Sequence, residues 1–394
     1  MSTATATPEP QLREPLTSAD ILANVQALLP LVREDAAQCE AQGHLTDRLR
    51  EAFRTAGTFR VGFSTAHGGP EMTLADQTRM IELIATADAG IAWNVCVLAA
   101  TGFYAGRLSP AAYDELYPAL DLPTCGSFHP KAKAVQVPGG YRVTGTWNFG
   151  SGIRSAERIV GGAEVETEAG EKVRKADGSV LTLGVWLPTD QVRLLDDWHV
   201  IGLRASASQG YTVTDVFVPE HHCFDRFFTP TADAEPLNKH VDLPFYSMAG
   251  ISVGIAQHAI DLATAYLAAL ASAKGRTPSE RQISLLGEAS SYVHAARSLV
   301  IDGVSAIDAA IFTPGVVPDD TVMARGDAPL AHDFTRRVVD HCGEIMGSQA
   351  IYERYPFEKL VRDTTGMGAH ASTWRSRWLS VGQALVTAHP QEAA

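Results

Sequence analysis

The spacing of apolar residues predicts that the first third of the chain is helical. Apolar residues recur at intervals of three and four after Ser18, which is the period of one helix face. A second helix is expected to begin at Thr46 and end at Gly57, because threonine caps helix starts and glycine suits the left-handed residue after a helix end. Further helices are expected to start after Thr73 and Ser109. Residues 16–121 are therefore expected to form a helical domain.

The middle of the chain changes to short runs with alternating polarity that are rich in β-branched and aromatic residues. Turn signals at Gly139-Gly140 and Asp177-Gly178 separate them. A compact β domain over 122–230 is the expected result. Its predicted strands cover residues 132–137, 141–147, 158–164, 180–187 and 211–218.

Long helical patterns return after residue 231 and continue to the end of the chain. Their faces carry many small apolar residues, which favours close packing in an antiparallel bundle and predicts subunit contacts. The remaining residues, 1–15, are expected to form a disordered lead. The predicted helices of the bundle cover residues 248–273, 278–312, 328–352 and 359–378.

Composition narrows the possible partners and compartment. The chain has 394 residues, 45% of them apolar, with a formal net charge of −13, so a nucleic-acid-binding surface is not expected. Its five cysteines lack paired spacing, which favours a reducing cytoplasm without disulfides. No apolar run is long enough to predict a membrane span, and a small-molecule substrate is the expected partner.

Candidate chemistry is concentrated in residues 139–152. Glycines at 145, 150 and 152 would allow the backbone to approach a flat ligand closely, Phe149 could stack on that ligand, and Ser151 could hydrogen-bond to it. The same spacing also occurs in an ordinary hairpin. The pattern alone therefore leaves both interpretations open.

The order of helical domain, β domain and helical bundle resembles the acyl-CoA dehydrogenase fold, and several motifs agree with it. They are the run Tyr141–Gly145 followed by Trp147 and Phe149, the loop 126–130, Trp198 with 202–208, and the pair Arg362-Asp363. The resemblance implies an α+β fold with an N-terminal all-α domain, a middle β-barrel or sandwich and a C-terminal four-helix bundle. It also implies flavin contacts from Phe128, Trp147, Phe149, Ser151, Gly152, Arg276 and Gln282.

Within this fold, two motifs resemble one branch in particular. The GxWxFxSG pattern at 145–152 and the GSFxP pattern at 126–130 are similar to those of two-component flavin-dependent monooxygenases. That branch includes the oxygenase components of 4-hydroxyphenylacetate hydroxylase, steroid-ring phenol hydroxylases and dibenzothiophene monooxygenase. The resemblance implies reduced FMN or FAD, dioxygen as co-substrate and a homotetramer. Since the chain has no nicotinamide-binding motif, a separate NAD(P)H:flavin reductase is expected.

One position separates this branch from the dehydrogenases. A dehydrogenase needs a carboxylate base, which in many relatives lies nine residues after the arginine of the Arg-Asp pair, and here that position is Ala371. His370, eight residues after Arg362, falls where the monooxygenases keep an active-site histidine. The resemblance therefore implies that His370 deprotonates a phenolic substrate. It also implies that Ser151 hydrogen-bonds near flavin N5 and prolongs the life of a flavin hydroperoxide.

Other assignments stay open. The substrate pocket is expected to include His129, Trp93 and Tyr104. A metal at His221-His222 is not expected, because adjacent residues of a strand point to opposite faces. The expected reaction is hydroxylation of a small aromatic or heteroaromatic compound, or oxygenation of a nitrogen or sulfur centre. The alternatives are an FAD-dependent acyl-CoA dehydrogenase with an unrecognised base and a non-catalytic binding or scaffold protein.

Overall fold

The N-terminal region is helical, as predicted. The computed structural model describes residues 11–229, 231–325, 329–373 and 376–388. Thr46 and Thr73 accept hydrogen bonds from first-turn N–H groups and begin their helices, and Gly57 ends its helix with a φ of 86°. The six helices are α1 (Ser18–Gln42), α2 (Asp47–Ala56), α3 (Leu74–Ala85), α4 (Ala89–Ala99), α5 (Thr101–Ala105) and α6 (Pro110–Leu116).

The middle region is a seven-stranded sheet in the described residues, which confirms the predicted β domain between two helical regions. Its strands are β1 (Thr124–Val137), β2 (Gly140–Trp147), β3 (Arg158–Glu166), β4 (Thr182–Leu187), β5 (Arg193–Leu194), β6 (Tyr211–Pro219) and β7 (Cys223–Asp225). They lie in the order β5-β6-β2-β1-β3-β4-β7. Strand β1 pairs parallel with β3, and the other neighbours are antiparallel. Strands β5 and β7 are too short for a period-two pattern, so the sequence did not predict them.

The C-terminal region is a helical bundle formed mainly by α7, α8, α10 and α11. Its helices are α7 (Ala249–Lys274), α8 (Glu280–Ile311), α9 (Asp320–Ala324), α10 (Pro329–Met346), α11 (Phe357–Gly368) and α12 (Arg377–Ala388). The fourth helix predicted over 359–378 is two helices with a break between them. At this break the Thr373 hydroxyl donates to the carbonyls of Met367 and His370, which satisfies the end of α11.

Helix α7 connects the two helical regions. A Cβ added at Gly254 would lie 2.4 Å from the Ala85 Cβ of α3, and one at Gly250 would lie 2.4 Å from the Thr78 carbonyl oxygen. Glycine thus permits close approach of these helices. Within the described residues, one apolar stretch, Leu243–Ser272, is long and apolar enough to cross a membrane by composition. It packs against α3, α8 and α10.

Candidate active site

Trp93 brings together the two residues predicted to be catalytic. Its indole Nε1 donates to the Ser151 hydroxyl at 3.0 Å, and its ring meets the His370 ring edge-on with 4.9 Å between centroids. Trp93 lies on α4, Ser151 lies in the loop after β2, and His370 lies after α11. All three parts of the fold therefore contribute to one cluster.

Ser151 is the first member of a buried chain of hydroxyls. Its oxygen lies 2.7 Å from the Ser208 oxygen, which lies 2.7 Å from that of Ser206. The three serines have three hydroxyl hydrogens, and the two hydrogen bonds between them use two. The hydroxyl at one end of the chain therefore has a hydrogen that it does not donate to another serine. Reversing the direction of the chain lets Ser151 either donate to a ligand or accept from it.

The segment after α11 fixes the ring of His370. Its Nδ1 accepts from the backbone N–H of Ser372 at 3.2 Å and lies 2.8 Å from the Ser372 hydroxyl. Since a nitrogen that accepts an N–H carries no hydrogen, these bonds assign the hydrogen of the neutral ring to Nε2. In this tautomer His370 presents a donor at Nε2, whereas the predicted base would need a lone pair there.

The Arg362-Asp363 pair positions the loop that carries Ser206 and Ser208. Asp363 accepts from the backbone N–H of Leu203 at 2.7 Å, and Arg362 donates to the carbonyl of Ile201 at 3.1 Å. Half-buried Lys359 pairs with Asp363 at 2.5 Å and with Asp88, the N-cap of α4, at 2.9 Å. This ionic network ties the serine loop to α4 and α11.

Phe149 and its neighbours fit a flat aromatic ligand. The Phe149 ring is 68% exposed, and its backbone has a φ of 62°, which a bulky residue seldom adopts. Trp198 meets the ring edge-on at 6.3 Å, and Ser151, two residues further along the chain, is buried. The backbone N–H of Gly152 donates to the Ser206 carbonyl. This bond joins the segment after β2 to the loop that carries Ser206 and Ser208. An exposed aromatic face next to a buried hydroxyl chain suits a flavin ring.

Two of the predicted flavin contacts have other roles. Trp147 is fully buried, stacks on Tyr211 with 5.0 Å between centroids and donates its Nε1 hydrogen to the Gly162 carbonyl. It points into the core because side chains alternate along β2, so it offers no face to a ligand. Gln282 closes a capping box with Ser279 at the start of α8.

Gln282 also donates to the Ile345 carbonyl at 3.0 Å, so its amide is already engaged. Arg276 is exposed in the connection between α7 and α8. Neither residue contacts Trp93, Ser151 or His370 in the described part of the chain. Their predicted role at the flavin phosphate stays a prediction.

The predicted pocket residues divide between buried and exposed positions. Phe128 is buried, and its ring meets that of Tyr104 edge-on at 4.8 Å. His129, the next residue, is exposed, and the strand is irregular between Ser127 and Pro130. The pocket prediction required His129 to lie with Tyr104 and Phe128. The exposed side chain of His129 does not join these two buried rings. Two arginines the sequence analysis did not single out, Arg107 and Arg226, lie there instead.

His221 and His222 lie closer together than their predicted strand geometry allowed. They belong to a 3₁₀ turn before β7, and both rings reach Glu115 of α6, each with its Nε2 3.2 Å from a carboxylate oxygen. The strand argument against a metal was wrong, since the backbone is not extended here. The three side chains form a cluster of metal-ligating type on the surface.

Comparison with known proteins places this geometry in context. A family model described as acyl-CoA dehydrogenase, C-terminal domain, matches residues 246–374. The indole-3-acetate monooxygenase of Pseudomonas putida is 26% identical over 88% of this chain and 89% of its own length. The oxygenase component of the FADH2-dependent resorcinol hydroxylase of Rhizobium sp. is 24% identical over 94% and 95%. The structure of XiaF from Streptomyces sp. with FADH2 and glycerol has a TM-score of 0.84 at 22% identity, covering 96% of this chain and 97% of that chain.

The sheet between two helical regions and the match along nearly the whole chain define the acyl-CoA dehydrogenase fold. Within that fold, the chain is similar over nearly its whole length to oxygenase components of two-component flavin-dependent monooxygenases, as the motifs predicted. It is an enzyme component that depends on reduced flavin, and its role as an oxygenase implies a separate flavin reductase.

Proposed function

We propose that this oxygenase hydroxylates a small aromatic or heteroaromatic compound, with oxygenation of a nitrogen or sulfur centre as the alternative outcome of the same chemistry. The contact of Trp93 with both Ser151 and His370 carries the proposal. It is supported by relatives that are named for an indole and for a dihydroxybenzene. Reduced flavin, when bound, would react with dioxygen and supply an electrophilic oxygen atom.

The flavin ring is assigned to the space beside Phe149 and Ser151. The exposed face of Phe149 gives the ring a stacking surface, whereas Gly152 packs against Leu98 of α4. Because the serine chain can reverse its direction, Ser151 can hydrogen-bond to either a donor or an acceptor on the ring edge. The bulk of Trp93 covers this hydroxyl and helps to exclude water.

His370 is assigned to the oxygen of the substrate. With Nδ1 held by Ser372, its Nε2–H can donate to the oxygen of a substrate that has lost its phenolic proton to solvent and binds as the phenolate, whose ring is a better nucleophile. The carboxylate base of the dehydrogenases has no counterpart at Ala371. The proposal therefore gives His370 the role of a hydrogen-bond donor in place of the predicted general base.

Turnover with two matched substitutions tests this role. Purified protein would receive reduced FMN or FAD from an added NADH:flavin reductase, or chemically reduced flavin, and hydroxylated phenols and indoles would be measured by mass spectrometry. His370→Gln places an amide near Nε2 and is expected to keep more than about a tenth of the activity, whereas His370→Asn is expected to lose about 10²-fold. Equal losses in both variants would support a base instead. No product from any substrate with either flavin would contradict the function.

The surroundings of the reaction belong to the same proposal. Among the described residues, the five cysteines are free, and four of them are buried, which supports the predicted cytoplasmic location. A homotetramer is supported by exposed apolar residues on the C-terminal helices, including Leu379 and Val386 of α12.

A further inference from the structure

Two arginines beside Tyr104 and Phe128 have buried guanidinium nitrogens without hydrogen-bond partners. In the described structure, all three guanidinium nitrogens of Arg107 and the Nε and Nη1 of Arg226 are buried and unpaired. A buried, unsatisfied polar group costs about 1–3 kcal/mol, and more when it is charged. An arrangement of five such nitrogens is costly in the free protein, and a bound anion would satisfy them.

Both guanidinium groups lie over aromatic rings. Arg107 lies 4.9 Å from the ring centre of Phe228 and 5.4 Å from that of Phe224. Arg226 lies 5.3 Å from the ring centre of Phe128. Stacking occupies the faces of a guanidinium group and leaves its N–H bonds pointing outward in the plane. That geometry suits an oxyanion that accepts two parallel hydrogen bonds.

The charge around the two arginines matches a ligand with one negative charge. Asp242 attracts both guanidinium groups electrostatically but pairs with neither by hydrogen bonding. Two positive groups and one carboxylate leave a single positive charge. The nearby ring of His240 adds none while neutral, and burial, with a smaller contribution from both arginines, lowers its pKa. Burial also lowers the pKa of Arg107 to about 10, which still leaves the guanidinium group charged at neutral pH.

The position of this pair connects it with the proposed substrate site. Arg107 follows α5, and α5 continues from α4, which carries Trp93. Tyr104 on α5 packs against both the Arg107 guanidinium and the Phe128 ring. Phe128 belongs to the β1 segment that the sequence motifs assign to the flavin side of the pocket. Tyr104 and Phe128 supply apolar rings suited to an aromatic compound, with the two cations beside them.

We propose that Arg107 and Arg226 bind the carboxylate of the substrate, which is an aromatic carboxylic acid. That the ligand is the substrate of this enzyme rests on the proposed function. The anion site itself rests only on the two arginines and their surroundings. A phosphate group could satisfy the same donors, but its second negative charge would exceed the local excess of positive charge.

Binding to the flavin-free full chain tests the site without any turnover. The probes are phenylacetate, its neutral counterpart phenylacetamide, and inorganic phosphate, measured by titration calorimetry and by the shift in melting temperature. Phenylacetate is expected to bind at least about tenfold more tightly than phenylacetamide. Equal binding of the two, or binding of phosphate in preference to phenylacetate, would overturn the assignment.

Three variants separate recognition from structure. Arg107→Met and Arg226→Met are expected to weaken phenylacetate binding about tenfold or more while phenylacetamide changes less than about threefold. Arg337→Met is the matched control, because Arg337 also stacks on a ring but is exposed and hydrogen-bonded to Tyr292. Unchanged phenylacetate binding in both site variants would remove the arginines from the site.

Stability gives an independent readout. Removing a buried, unpaired charge is expected to leave the melting temperature of free Arg107→Met equal to or above that of the wild type, whereas loss of a structural arginine would lower it. A lower melting temperature with phenylacetate binding retained would identify a structural role. If Arg107→Met does not fold, Arg107→Lys keeps the charge with fewer donors and should weaken binding without lowering stability.

In turnover with an aromatic acid substrate, Arg107→Met should raise KM about tenfold with little change in kcat.

Discussion

At the scale of single residues, Trp93 explains why the catalytic cluster holds together. Its indole N–H requires an acceptor because it is buried, and Ser151 provides one. The ring then meets His370 from the other side. The motifs identified Ser151 and His370 by resemblance, but the hydrogen bond from Trp93 could not be read from residues 58 positions apart. The chain of Ser151, Ser208 and Ser206 was hidden for the same reason.

Substitution of Ser151 should uncouple the oxygenase. Ser151→Ala leaves the Trp93 N–H without its acceptor and removes the hydroxyl beside the proposed flavin ring, so it should lower the free energy of unfolding by about 1–2 kcal/mol. Product formed per reduced flavin consumed should fall about threefold or more. The measurement compares product by chromatography with flavin oxidation by absorbance. Ser291→Ala, on the exposed face of α8, should change neither quantity. An unchanged product ratio in Ser151→Ala would remove Ser151 from the reaction.

At the scale of elements, glycine decides how closely α7 approaches α3. Gly254→Ala would place a methyl group 2.4 Å from the Ala85 Cβ and 2.6 Å from the Glu82 carbonyl oxygen. It should lower the free energy of unfolding by about 1–3 kcal/mol. Gly287→Ala on α8 is the matched control, because no atom lies within 4 Å of its added Cβ. That variant should gain up to about 1 kcal/mol from helix propensity. Urea denaturation measures both, and equal effects would contradict the packing argument.

Asp308 of α8 makes a second connection between the helical regions. Its carboxylate accepts from the backbone N–H groups of Leu74 and Ala75 at the start of α3, at 2.8 and 2.9 Å. Burial raises the pKa of Asp308 to about 6, although these N–H groups act in the opposite direction. Since the folded state then binds a proton more readily than the unfolded state, this group's contribution to stability should fall as the pH rises through the folded pKa.

Asp308→Asn tests that sign, because an amide does not titrate. Between pH 5 and pH 7 the wild type should lose about 1 kcal/mol of unfolding free energy relative to Asp308→Asn. Urea denaturation at the two pH values measures the difference. Asp302→Asn on the same helix, whose carboxylate is exposed, should show no such trend. A stability difference that is constant across this range would show that the pKa of Asp308 is not raised.

At the scale of the whole molecule, the exposed apolar surface predicts self-association. On α12, Leu379 is 65% exposed, Leu385 60% and Val386 77%. Exposed apolar groups of this kind mark interaction surfaces. Light scattering should give about four times the chain mass of 42.2 kDa. The double substitution Leu385→Lys with Val386→Lys should lower that mass, while Val317→Lys in the loop before α9 should not. A monomeric wild type would end the tetramer proposal.

The sequence by itself determined the order of the helical and strand regions, most helix starts and the monooxygenase branch. It could do so because caps, periodicity and motifs such as GxWxFxSG are local in the chain. Only the tertiary structure decided that Trp147 faces the core, that His129 is exposed while Tyr104 is buried, and that His221 and His222 share Glu115. These facts depend on which face of a strand or turn meets which neighbour. The same holds for Arg107 and Arg226, which are ordinary arginines in the sequence and become a site only where folding leaves them buried without a partner.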